Sequence, residues 1–211
     1  YARVSLKGMA RKVLGDYSKY MDDMRGPIVA RDFHGFGLEV AKLFALVPWS
    51  TIKQDDHRES VYHAQLFTAL QYSVPSNEVI LTPEHATAHG SADITIRFVG
   101  HGPRTSVAWV IKLGWVPKAT GLDTEAGAKL VQAQRYAQEM EADDVRCCAV
   151  VVGKFAAASR VRHAANAPKR PVRVRWSVRD GVDAGGVPVF KEVSDAAVNE
   201  VVAAEATVAA L

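Results

Sequence analysis

Two nearly continuous apolar runs constrain this chain most: Ser106 to Leu113, and Val145 to Val152. A strand that is apolar at successive positions has no solvent face, so each run is expected to be a central strand covered on both sides. The stretch between them, Gly121 to Met140, has helical character. A helix joining two buried strands predicts a crossover that leaves them parallel. Two further strands are expected before them. Val79-Ile80-Leu81 is short, while Asp93 to Val99 alternates, with Ile94, Ile96 and Phe98 on one face. The expected fold class is therefore α/β, a mixed central sheet flanked by helices. With 211 residues and 48% hydrophobic content the chain can bury one sizeable core. No apolar run approaches the ~20 residues of a membrane span.

Helices are expected ahead of the strands. Apolar residues from Val4 to Met24 recur at helical spacing, and Gly26-Pro27 is expected to break that pattern. Asp32 is placed to cap a second helix running to Leu46, before Pro48. A third is expected from Glu59 to Tyr72, closed by Pro75, Ser76 and Asn77. The chain thus divides into a helical lead-in (1–50), a core (51–153) and a basic extension (154–211). In the extension, Val172 to Val178 alternates as a strand and Asp180-Gly181 offers a hairpin turn. Ser194 can cap a last helix, Asp195 to Leu211, rich in Ala and Val. That helix suits docking on its own core and, as the alternative, self-association.

The net charge of +3 is unevenly spread. Lys154, Arg160, Arg162, Lys169, Arg170, Arg173, Arg175 and Arg179 follow one another with no acidic residue between them. Such a segment attracts polyanions, and Arg160, Arg162, Lys169, Arg170, Arg173 and Arg175 are the candidate nucleic-acid contacts, DNA being favoured. The plainer alternative is a solvated face with strand-edge charges. Cys147 and Cys148 are adjacent and lie in an apolar run, so they are expected as buried small hydrophobes in a reducing compartment.

Four features carry the chemistry: Glu59-Ser60-Val61-Tyr62-His63 opens the third helix, Gly90-Ser91-Ala92-Asp93 opens a strand, Lys112 interrupts the run Trp109-Val110-Ile111, and Gln132 and Tyr136 lie on the following helix. Each has an ordinary explanation. An acid opening a helix serves the helix dipole, and an aspartate at a strand start serves turn chemistry. Lys112 is the hardest to dismiss, because an ammonium in an apolar run needs a counter-charge unless it snorkels out at a strand end.

In this order the four features resemble the PD-(D/E)XK nuclease superfamily, with its restriction-endonuclease-like fold. Within it they are similar to the branch found behind AAA-ATPase-like modules and near the C-terminus of Crinkler-type effectors. The resemblance covers roughly residues 30–153, and its most specific parts are Glu59-x-x-Tyr62-His63 and Gly90-x-x-Asp93. It implies a phosphodiesterase site of Glu59, Asp93, Lys112 and Gln132, with Mg²⁺ held by Asp93 and Glu59. It also implies an ATPase-like domain upstream and, for a secreted effector, a host nucleus or cytoplasm as destination. No G-x-x-x-x-G-K-[ST] occurs, so an ATPase module would lie outside this chain.

The pattern departs from the family at one position. Two residues before Lys112, where the family carries Asp or Glu, stands Val110, which cannot bind Mg²⁺ or polarise water. Glu84, Asp123 and Glu125 are the nearby acids that could take its place. Three readings follow: a nuclease-like domain that binds nucleic acid or a partner with impaired catalysis, an active Mg²⁺-dependent nuclease with a rearranged site, and an assembly domain without nucleic acid. A zinc site is not expected, because among the histidines clustered from His57 to His101 only His85 and His89 share a helical spacing, in a turn region.

Overall fold

The computed structural model describes residues 18–46, 58–74, 77–88, 90–99, 106–117, 119–153 and 172–193. Three helices come first: α1 (Ser18–Ala30), α2 (Phe33–Leu46) and α3 (Arg58–Ser73). Strands β1 (Val79–Thr87), β2 (Gly90–Phe98) and β3 (Val107–Val116) follow, then α4 (Leu122–Ala137), β4 (Asp144–Gly153), β5 (Val172–Val182) and β6 (Pro188–Val193). The strands form one sheet in the order β1-β2-β3-β4-β5-β6. Only β3 and β4 pair in parallel, across the α4 crossover; all other neighbours are antiparallel. The α/β class, the mixed sheet and the parallel central pair are as the apolar runs predict.

The sheet has two covered faces. Ile94, Ile96, Trp109, Ile111, Leu113, Cys148, Val150 and Trp176 pack with α1, α2 and α3 in the main core. Ala108, Val110, Val145, Cys147 and Ala149 pack against Leu130, Ala133, Tyr136 and Ala137 of α4. Adjacent residues of β3 and β4 thus feed opposite cores, which is why neither run has a polar side. β5 and β6, from the basic extension, continue the same sheet.

Three local expectations are corrected. Gly26-Pro27 does not stop α1, which runs on to Ala30. Pro27 costs the helix a backbone donor, but Met21, Met24 and Ile28 are fully buried on one face and hold the turn together. The helix stops instead at Arg31, which adopts φ 56°. There the Arg31 N–H donates to Ile28 and the Asp32 N–H to Pro27, the paired closure usually built on glycine. Asp32 then caps α2, its Oδ1 accepting from the Gly35 N–H at 2.9 Å, as expected.

Next, β1 is not a three-residue strand but reaches Thr87, passing Pro83 and a left-handed Glu84 (φ 47°). Proline is tolerated because β1 is a sheet edge. Asp180-Gly181 is a bulge within β5 rather than a turn, with Gly181 at φ 128°. The hairpin turns at 183–187, where Asp183 Oδ1 accepts from the Gly185 and Val187 N–H groups. β6 itself had no sequence expectation. The helix expected over Asp195 to Leu211 lies outside the described residues, as does most of the stretch before Gly26.

Both cysteines are buried and unbridged, as expected. Burial pushes the Cys147 thiol up to about 12, against the opposing pull of its Ser177 hydrogen bond and the Arg179 charge. The unfolded thiol ionises near its ordinary value, so alkaline pH stabilises the unfolded state first. Cys147 therefore contributes stability below about pH 8.5 that is lost as pH rises toward 12. Native protein at pH 8 should leave both thiols unreactive to a thiol reagent, and both should react in denaturant. Rapid labelling of the native protein would show that this core opens.

Candidate functional site

Asp93 sits where β2 lets go of its neighbours. On the β1 side, Pro83 pairs with Ile94 and His85 with Ala92, but the left-handed Glu84 between them leaves Asp93 unpaired. On the β3 side, the ladder ends at Ile94 and Ile111. The strand also turns over here, since Ala92 packs on the α4 side while Ile94 packs in the main core. Asp93 fills the gap so made. Its Oδ2 accepts from the Leu113 N–H at 2.6 Å, and its Oδ1 accepts from the Lys112 ammonium at 2.5 Å. From α3, the His63 Nε2 donates to the Asp93 carbonyl at 2.8 Å. Main chain and side chain of one aspartate are therefore both held.

Lys112 does not snorkel. Its side chain is 10% exposed, and Asp93's is 16%. The ammonium also donates to the Ser91 carbonyl at 3.2 Å and lies 5.6 Å from the Tyr136 ring centroid. A nearly buried cation thus has a carboxylate, a carbonyl and an aromatic face, which is what makes its burial affordable.

Glu59 takes a different partner. It opens α3 one turn before His63 and accepts from the Lys129 ammonium of α4 at 3.0 Å. Because α3 and α4 cover opposite faces of the sheet, this pair links its two sides beside Gly114 of β3. Gly114 lets it do so: a Cβ there would come within 3.1–3.2 Å of the Lys129 stem. Gln132 is half-buried on the same helical face as Lys129 and Tyr136, three residues from one and four from the other. The structure thus brings Asp93 and Lys112 into direct contact, puts Glu59 on Lys129, and sets Gln132 between the two pairs along α4.

Val110 is fully buried among Ala108, Leu130, Ala133 and Tyr136, on the sheet face that Lys112 shares. Apolar packing seals the position two residues before Lys112. Among the described residues no three His, Cys, Asp or Glu side chains gather as a metal site. Of the acids that could have moved in, Asp123 pairs with Arg173. Magnesium wants near-octahedral oxygen ligation, usually including one or two carboxylates. Here one carboxylate has both oxygens already bonded and the other is tied to a lysine, so the residues do not fit a Mg²⁺ ion as they stand.

No family model, curated protein or solved structure matches the chain. Of the candidate nucleic-acid residues, Arg160, Arg162, Lys169 and Arg170 lie outside the described residues. Arg173 pairs with Asp123 of α4 at 3.0 Å and Arg175 with Glu192 of β6 at 2.5 Å. Arg179, from the same basic run, donates to the carbonyls of Ala137, Met140 and Ala142, closing the C-terminal end of α4. Among the described residues, no helix is long and apolar enough to cross a membrane.

The sequence reading missed Lys129. Its signal was present: Lys129, Gln132 and Tyr136 fall at i, i+3 and i+7, on a helix face that also holds the buried Ala126 and Ala133. It also missed what His63 does, although the residue was singled out.

Proposed function

We propose that this chain is a nuclease-like domain that grips nucleic acid by its phosphates and cleaves it poorly or not at all. The observation that carries this reading is the Asp93–Lys112 pair, set at the parting of two strands, with Val110 packed beside it where a second carboxylate would be needed. The pair supplies a fixed ammonium where β2 and β3 part. The missing acid removes the means to hold a metal and activate water. The helix–three strands–helix–strand order of α3 to β4 fits the resemblance given above, and the basic run after residue 153 adds charge attractive to a polyanion.

Fluorescence anisotropy with labelled single- and double-stranded DNA and RNA tests this. Binding is expected at about 20–50 mM salt, and it should fall steeply toward 200 mM as released counterions cease to favour it. Salt-independent binding, or none at low salt, would favour an assembly domain instead.

A further inference from the structure

We propose that Lys129 belongs to an anion site for phosphodiester oxygens, used without a metal, and that Glu59 is its built-in competitor rather than a magnesium ligand. The inference deepens the reading above and rests on it for the nature of the ligand. The two partners of the Glu59–Lys129 pair are held very differently. The Lys129 side chain is 12% exposed, whereas the Glu59 side chain is 46% exposed. The lysine stem lies over Gly114 of β3 in a space that a single added carbon would crowd. Packing therefore places the ammonium, and the carboxylate covers it from the solvent side. An arriving anion has to displace only Glu59.

Charge and donors agree with this. Lys112, the other cation among the candidate residues, already spends donors on Asp93 and Ser91. Lys129 has one partner, Glu59, among the described residues, and an ammonium carries three donors. A phosphate oxygen can take the place of the Glu59 oxygen while Lys129 stays where its stem fixes it. Displaced Glu59 keeps favourable surroundings in water, in the first turn of α3. With Val110 in place of an acid, β3 adds no carboxylate beside Lys112 to repel the incoming phosphate.

The two roles for Glu59 predict opposite signs. If Glu59 competes, Glu59→Gln tightens nucleic-acid binding at low salt by about fivefold, because one opposing charge is gone. Lys129→Met weakens it and lowers the slope of log affinity against log salt by about 1. Lys129→Arg retains most of the affinity, and neither EDTA nor Mg²⁺ improves wild-type binding. Circular dichroism melting of each variant confirms that it folds. Weaker binding by Glu59→Gln together with Mg²⁺-enhanced binding by wild type would overturn the proposal in favour of a metal site. Unchanged binding by both Glu59→Gln and Lys129→Met would overturn it while leaving nucleic-acid binding itself intact. A separate arm uses inorganic tripolyphosphate and thermal stability. Stabilisation of wild type that is lost in Lys129→Met supports the anion site even if no oligonucleotide binds, and that result would overturn only the nucleic-acid reading. Equal stabilisation of both proteins would overturn the site.

Discussion

Asp93→Ala is expected to destabilise the fold by about 3–5 kcal/mol, the usual cost of stranding one member of a buried ion pair. The substitution leaves the Lys112 ammonium with a carbonyl and an aromatic face but no counter-charge, and it orphans the Leu113 N–H. Lys112→Met strands a carboxylate instead, yet that carboxylate keeps the Leu113 donor, so its cost should be smaller. The double variant should recover much of the loss, because an apolar replacement of the whole pair is often close to neutral. Chemical denaturation of the four proteins gives the coupling energy directly. An Asp93→Ala effect below about 1 kcal/mol would mean that the pair is solvated and worth no more than a surface contact.

Catalysis is the second large effect. With Mg²⁺ or Mn²⁺, wild-type protein is expected to show no EDTA-sensitive cleavage of plasmid or single-stranded substrates above background. Loss of one preorganised charge stabiliser commonly costs on the order of a hundred- to thousandfold in rate, and here the Val110 position offers neither a charge nor room for one. Val110→Glu should not restore activity. It would set a carboxylate among Ala108, Leu130, Ala133 and Tyr136, and should instead lower the melting temperature, since a buried charge needs a partner and Lys112 already has one. Robust wild-type cleavage that disappears in Asp93→Ala would show that another acid completes the site, and would replace the binding-module reading with that of an active enzyme.

Much of the architecture was legible in the residues because the apolar runs leave little choice. The strand through Trp109 and Ile111 and the strand through Cys148 and Val150 have no polar face, so they had to be central, and α4 between them had to cross over. What the residues did not disclose was long-range compensation. Gly26-Pro27 reads as a break only until Met21, Met24 and Ile28 are seen buried together. Asp180-Gly181 reads as a turn, but Asp183 offers a better one, with two backbone donors on a single oxygen. At the site, Lys112 demanded a counter-charge, and the resemblance offered both Asp93 and Glu59. Spacing alone could not show that Glu59 turns toward Lys129, because that contact joins helices on opposite faces of the sheet.

The left-handed Glu84 that frees Asp93 has a consequence for how copies of this protein meet in concentrated solution. Among the described residues β1 is the margin of the sheet, and a straight margin would invite another chain to add a strand. Pro83 can donate no hydrogen bond and Glu84 swings the backbone out of line, so a visiting strand finds its row of partners interrupted midway. The same two residues that open the sheet inward at Asp93 thus close it outward to edge-on stacking and fibre growth.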